Sequence, residues 1–267
     1  MTDRLLLAFD GSEDSRRAAA WAGAVAAARG GVEIDIVHAL TLPPIPVGAW
    51  DRPVGELLDR HERDMRALAE RELAALEAAG VPTRLFLRRW LPVDTLLEHV
   101  VERPAGLIVL GPHGHGLRRL RIGSTSSAVA RAASAPVVVV RGESAIAPPT
   151  RLVVALDGSA AADAAAAAVA RWFPAARVTA VHVAGDGGLD HAALLERLAR
   201  AGVDGARAAA TTLEGDPAGA LIDFVETSRA ELLAVGRRGD LGLAGLLLGS
   251  VSEKLLQLSP CPLLIAH

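Results

Sequence analysis

Two stretches of the chain hold residue types able to cradle a phosphate. In GRRGDLGLAGLLLGS, Gly236 is followed after two residues by Gly239, and after nine more by Gly249 and Ser250. In GPHGHGLRRLRIGST, Gly111 and Gly114 keep the first spacing, but only eight residues precede Gly123 and Ser124. Each stretch follows a short apolar run and opens a helical one. Glycines there let backbone approach an anion, while the serine and the first free amides of the next helix donate hydrogen bonds to it. The helix dipole adds about 0.3–1 kcal/mol for an anion at an exposed site. Neither stretch is a Walker loop, because GK[ST] is absent and Lys254 is the only lysine. Ordinary turn chemistry accounts for an isolated G-x-x-G. Recurrence of the spacing in the same strand–loop–helix setting favours the phosphate reading, and the missing residue sets the earlier loop apart.

A second pair of signals is the DGS turn at Asp10–Ser12 and again at Asp157–Ser159. Each ends a hydrophobic run and stands before an Ala-rich stretch. Its carboxylate either hydrogen-bonds a ribose hydroxyl or helps hold a metal, or else caps the following helix. Other candidates carry less. His113 to Gly116 reads HGHG after the fourth strand, whereas the adenylyl-transfer string HxGH follows the first, and two histidines are too few ligands for structural zinc. Arg118, Arg119 and Arg121 in one loop, and Arg237 and Arg238 in the other, are either a solvated loop face or phosphate ligands. His38 and His182 read as hydrogen-bonded imidazoles ending buried strands. Ser124 and Ser250 read as helix-starting donors at N-cap positions, not as activated nucleophiles, and Cys261 as a small buried hydrophobe between two prolines.

The elements that must position these residues occur twice. LLLAFDGSEDSRRAAAWA from Leu5 returns as LVVALDGSAAADAAAAAV from Leu152; DIVHAL from Asp35 returns as TAVHVA from Thr179. AGLIVLGPHG, ending at Gly114, returns as AELLAVGRRG, ending at Gly239, and GSTSSAVARAASAPVVVV from Gly123 returns as GSVSEKLLQLSPCPLLIA from Gly249. The first copy has an extra segment, including LPPIPVGAWDRP, after its second strand. Short β-branched and leucine-rich runs alternate with helical stretches, the pattern of a parallel sheet covered on both faces. Strands are expected near residues 4–9, 32–39, 83–88, 107–111 and 137–140, and near 152–156, 177–183, 206–212, 232–236 and 263–266. Ser12 and Ser159 stand as N-caps of the first helices, and residues 55–79, with His61, Met65, Leu68, Leu73 and Leu76, read as an amphipathic helix. The fold class is α/β: two tandem doubly wound, five-stranded parallel-sheet domains of Rossmann-like order 3-2-1-4-5, spanning 1–142 and 151–267. The linker is 143–150, where Pro148 and Pro149 disfavour helix. In that order the apolar last strands, Val137–Val140 and Leu263–Ile265, would be bare edges, so they are expected to pair with each other in an intramolecular pseudo-dimer. The LGLAGLLL run supports packing between copies or chains, or covers its own domain.

Composition narrows the classes further. The chain has 267 residues, half of which is an ordinary domain of about 133, and it is 51% hydrophobic with mean hydropathy +0.32, so disorder is excluded. Lys plus Arg is 28 against 31 acidic residues, and there is no Tyr with four each of Phe and Trp. That balance gives no footprint for nucleic acid and few rings for base stacking. A single cysteine points to a reducing compartment, and no apolar run reaches the length of a membrane span or a signal h-region; the expected location is the cytoplasm.

Taken together, the DGS turn, the VH pair ending the second strand, the G-x2-G loop closed by GS, and the SAPVVVV and SPCPLLI final strands resemble the universal stress protein family in its tandem-domain form. The resemblance covers both copies. It implies ATP binding, with Mg2+, the turn and the end of strand two holding adenine and ribose and the glycine loop holding phosphates. The implied set in the second copy is Ala155, Leu156, Asp157, Val183, Gly236, Gly239, Gly249 and Ser250. In the first copy it is Ala8, Phe9, Asp10, Ala39, Gly111, Gly114, Gly123 and Ser124. The expected role is regulatory, nucleotide occupancy ordering the loop and changing a surface that a protein partner or a second chain in a homodimer reads. A slow ATPase or self-phosphorylating enzyme, and a nucleotide-free interaction module, are the alternatives; no catalytic base stands out in the sequence.

Overall fold

The computed structural model describes residues 3–41, 54–114, 122–141, 147–184, 188–237 and 248–267. In the first half the elements run β1 (Asp3–Ala8), α1 (Glu13–Arg29), β2 (Val32–Ala39), α2 (Val54–Ala78), β3 (Thr83–Arg88), α3 (Pro92–Glu102), β4 (Leu107–Leu110), α4 (Ser124–Ala132) and β5 (Val137–Val139). The second half repeats them as β6 (Arg151–Ala155), α5 (Ala160–Trp172), β7 (Arg177–Val183), α6 (His191–Arg200), β8 (Ala208–Leu213), α7 (Pro217–Ser228), β9 (Leu232–Gly236), α8 (Ser250–Leu258) and β10 (Leu263–Ala266).

All ten strands join one sheet in the order β3-β2-β1-β4-β5-β10-β9-β6-β7-β8. Each half is therefore the expected parallel 3-2-1-4-5 sheet. The two meet where β5 and β10 pair antiparallel, Val138 opposite Leu264. Two apolar edges thus cover each other, as the edge argument requires. The antiparallel seam also turns the carboxyl ends of the two half-sheets to opposite ends of the molecule.

Strand residues alternate between two buried layers: Leu5 and Leu7 face the cluster formed with α1, α2, α5 and α6, and Leu6 faces that formed with α3, α4, α7 and α8. Met65, Ala69 and Leu76 of α2 enter the first layer. Both layers run through both halves. Across the seam Trp172 Nε1 donates to Gly106 O at 3.0 Å, Trp21 lies against Phe173, and Arg171 and Arg29 both pair with Asp3. Bonds from those two guanidiniums hold the Asp3 carboxyl below its ordinary range.

Ser12 and Ser159 cap α1 and α5 as expected, each side chain accepting the amide three residues on, Ser15 at 3.1 Å and Ala162 at 3.2 Å. Ser124 and Ser250 do not cap. The N-caps of α4 and α8 are Gly123 and Gly249, without a side-chain bond, and the serines are the first helical residues. At Gly123 the loop closes closely, and an added Cβ would come within 3.2 Å of Pro112 O. A strand expected from residue 206 starts at Ala208, because Gly205–Arg207 form a 3-10 turn capped by Asp204.

Among the described residues, the first half holds a buried polar cluster without a counterpart in the second. Asp35 of β2 and His99 of α3 are fully buried, His99 Nε2 lies 3.0 Å from Asp35 Oδ2, and Arg103 Nε donates to the same oxygen at 2.8 Å. Burial pushes the Asp35 carboxyl up, but the bonds from His99 and Arg103 prevail and hold it below its ordinary range. At the equivalent place in β7 stands Thr179.

Candidate functional site

At the carboxyl end of each half-sheet the chain order reverses between the first and fourth strands, which is where open α/β sheets offer a crevice. Asp157 follows β6, and its Oδ1 accepts the Ser159 amide at 3.0 Å; Asp10 after β1 does the same for Ser12 at 2.9 Å. The turns between them need a left-handed residue, supplied by Gly11 at φ 80° and Gly158 at φ 93°. One carboxylate oxygen therefore shapes the turn. Capping of the helix itself is done by the serine. Asp157 is exposed and Asp10 half-buried.

The strand ends are tied to these turns. His182 Nδ1 lies 2.8 Å from Leu156 O and His38 Nδ1 2.7 Å from Phe9 O, so each buried imidazole donates to the residue before the aspartate. Both histidines thus hold the turn, as hydrogen-bonded strand-end imidazoles should. The amide of Leu156 donates to Val181 O at 2.8 Å and that of Phe9 to Val37 O at 3.0 Å, extending each pairing past the strand.

The first glycine of each loop also meets a packing requirement. A Cβ on Gly236 would lie 2.7 Å from the Ala161 carbonyl carbon and the Ala162 amide nitrogen, and one on Gly111 would lie 2.8 Å from Asp14 backbone. These glycines admit the first turn of α5 and α1 against the fourth strand of each half. A Cβ on Gly114 would meet Asp10 Oδ2, the end of a side chain that can turn aside. At Gly111 and Gly236 the neighbouring helix backbone leaves no room for a side chain, and the effect is to bring the start of each glycine loop against the helix that follows the DGS turn. Gly239, His115, Arg118, Arg119, Arg121, Arg238 and residues 241–247 of the apolar run lie outside the described residues, as do 42–53 and 142–146.

Each loop closes in the same way despite the length difference. Gly249 N donates to Arg237 O at 2.9 Å and Gly123 N to Pro112 O at 2.7 Å. Two residues into each helix, a buried serine overlooked in the sequence ties the loop down: Ser252 Oγ donates to Gly236 O and Ser126 Oγ to Gly111 O, both at 2.7 Å. The repeat alignment held that signal, since GSTS and GSVS share the serine. The first half adds a bond of its own, His113 Nδ1 to Asp14 Oδ2 at 3.1 Å. Alanine 161 replaces that aspartate in the second half.

Cys261 takes no part. Burial pushes its thiol up to about 11, so it stays protonated at neutral pH. Among the described residues no cluster of three or more His, Cys, Asp or Glu could hold a metal ion, and no helix is long and apolar enough to cross a membrane.

Two Rossmann-like half-sheets, each with an aspartate turn and a glycine-capped helix at its switch point, define a tandem α/β protein. The chain belongs to the universal stress protein family, whose model matches residues 1–141 and again 149–267. A universal stress protein of Mycobacterium tuberculosis is 30% identical over 300 residues, spanning 98% of this chain and 96% of that one. Another, from Thermus aquaticus, is 36% identical over 144 residues, 53% of this chain and 100% of its own, so one copy corresponds to a whole relative. Among solved structures, a universal stress protein from Archaeoglobus fulgidus superposes with a TM-score of 0.79 at 21% identity, covering 100% of this chain and 97% of that one. A functionally unknown protein from Pseudomonas aeruginosa does so with 0.67 at 13%, covering 99% and 92%. These two likenesses speak to the fold.

Proposed function

We propose that the protein binds ATP at the two switch-point crevices and acts by binding rather than turnover, in a regulatory role in the stress response. The observation that carries the reading is the matched pair of helices α4 and α8. Each begins on a glycine without a side-chain cap, beside an aspartate turn at the carboxyl end of a parallel sheet. Uncapped first-turn amides and the positive end of the helix dipole suit phosphate oxygens. In the second half, Gly236, Gly239, Gly249 and Ser250 would hold the phosphates, Asp157 a ribose hydroxyl, and the backbone at Ala155, Leu156 and Val183 the adenine. In the first half the corresponding groups are Gly111, Gly114, Gly123 and Ser124, then Asp10, then Ala8, Phe9 and Ala39.

A carboxylate whose second oxygen remains for a ligand fits the ribose role, since Asp157 spends Oδ1 on its own turn and is exposed. Mg2+ enters this reading on the nucleotide's phosphates, as it does where one or two protein oxygens supplement them. Nucleotide occupancy would stabilise the fold by mass action and order the loop. Domains cut within 143–150, a cytoplasmic location and a homodimer or a regulatory protein partner complete the proposal. Denaturing the freshly purified chain and identifying the released small molecule by mass spectrometry tests it. Adenosine triphosphate is the expected species.

A further inference from the structure

The seam between the halves places a side chain of the second half on the loop of the first. Gln257, in the last turn of α8, accepts the Ile122 amide on its Oε1 at 3.1 Å, immediately before the glycine that caps α4. Its own backbone is fixed from the first half: Arg141, just past β5, donates to Gln257 O at 2.8 Å and to Leu256 O at 2.6 Å. The end of the first loop is thus held by two successive amides, Ile122 on Gln257 and Gly123 on Pro112 O.

The side chain at the equivalent helix position of the first half differs. When Ser124–Ala132 is laid on Ser250–Leu258, Gln257 corresponds to Arg131 and Ile122 to Leu248. A guanidinium has donors only and cannot accept an amide. Arg131 instead donates to Glu253 Oε1, in the first turn of α8, at 2.8 Å, and its carbonyl accepts from Arg237 at 2.9 Å.

We infer that Gln257 is a positioning residue for Ile122 and Gly123, so that the anion-binding start of α4 in the first half is completed by the other half of the chain. The inference rests on the nucleotide reading for its ligand and on the Ile122 bond for its geometry. Where the first loop has one residue fewer, an acceptor from the other half fixes its end at Ile122; at the matching place in the first half stands Arg131, whose side chain cannot accept. Gln257 acts on the loop and not on the ligand.

The test is made in the full chain with Gln257→Leu, close in size but without an acceptor, and Gln257→Glu, which keeps one. Hydrogen exchange reads the position of the loop without any ligand. Loss of one hydrogen bond is expected to speed exchange at Ile122–Ser126 about 5- to 10-fold in Gln257→Leu, with Gln257→Glu close to wild type. ATP titration reads the consequence, with Asp157→Ala silencing the second crevice and Asp10→Ala the first. Gln257→Leu is expected to weaken ATP about 3- to 10-fold in the Asp157→Ala chain and to leave it within twofold in the Asp10→Ala chain. Unchanged exchange at Ile122–Ser126 overturns the inference whatever ATP does. So does faster exchange with unaltered affinity at the first crevice, or equal weakening at both. Faster exchange in a chain that binds ATP at neither crevice supports the positioning and defeats the nucleotide reading instead.

Discussion

Ser252 Oγ donates to the carbonyl oxygen of Gly236 across 2.7 Å, and in the first half Ser126 makes the same bond to Gly111. Both serines are buried, so the bond is made out of competition with water. It fastens the first turn of the last helix to the end of the fourth strand, and hence fixes how the loop between them closes. Ser252→Ala or Ser126→Ala leaves a buried carbonyl short of a partner and is expected to cost about 1–3 kcal/mol. Urea denaturation at neutral pH measures it. Losses well under that range would mean that the loop ends are held by backbone closure alone.

Asp35 concentrates buried polar chemistry in the first half, bonding both His99 and Arg103, with Glu33 a second and more distant partner for Arg103 at 3.8 Å. Removing one member of a buried pair strands the others, and Asp35→Ala is expected to cost about 3–5 kcal/mol. Thr179→Ala, at the equivalent strand position, should fall far short of that. Equal effects at the two positions in urea titrations would contradict the account of the cluster.

Much of this arrangement is legible in the residues and some is not. The duplicated DGS turns, the period-two strands and the apolar last strands lead directly to two 3-2-1-4-5 sheets joined through β5 and β10, because bare apolar edges must be covered. The strands end at Ala8 and Ala155, one residue short of the expected bounds, although backbone pairing continues through Phe9 and Leu156. The glycines were visible but their reasons were not. That Gly236 faces Ala161 and Gly114 faces Asp10 depends on how closely a helix approaches a strand, a distance no spacing encodes. Ser124 and Ser250 fit an N-cap by type, yet the caps fall one residue earlier, on Gly123 and Gly249, a one-residue difference that residue type does not settle. Asp35 reads as an ordinary strand residue until α3 brings His99 beside it.

Acid should act first through His267. Burial, with the charge of Arg237 beside it, pushes its imidazole down to about 4 from 6.5. The unfolded chain then takes up a proton between those values that the folded chain refuses, so stability is full above about pH 6.5 and falls as the pH drops toward 4. Asp3 and Asp35, whose carboxyls are held low, keep their contributions until the pH falls below their ordinary value of 3.8. Between pH 6.5 and 5 the slope therefore reports chiefly on the histidine. Urea midpoints for wild type should fall over that interval, and those of His267→Gln should fall less. Parallel curves for the two proteins would remove His267 from the account.

The central claim is that the paired crevices take ATP. Isothermal titration of the full chain with ATP and Mg2+, beside Asp157→Ala and Asp10→Ala, addresses it directly. Saturable binding at micromolar to millimolar ATP is predicted, weakened at one crevice by each substitution. A titration of the wild-type chain that shows no saturable heat across that range, with its melting temperature unmoved by ATP, would contradict it.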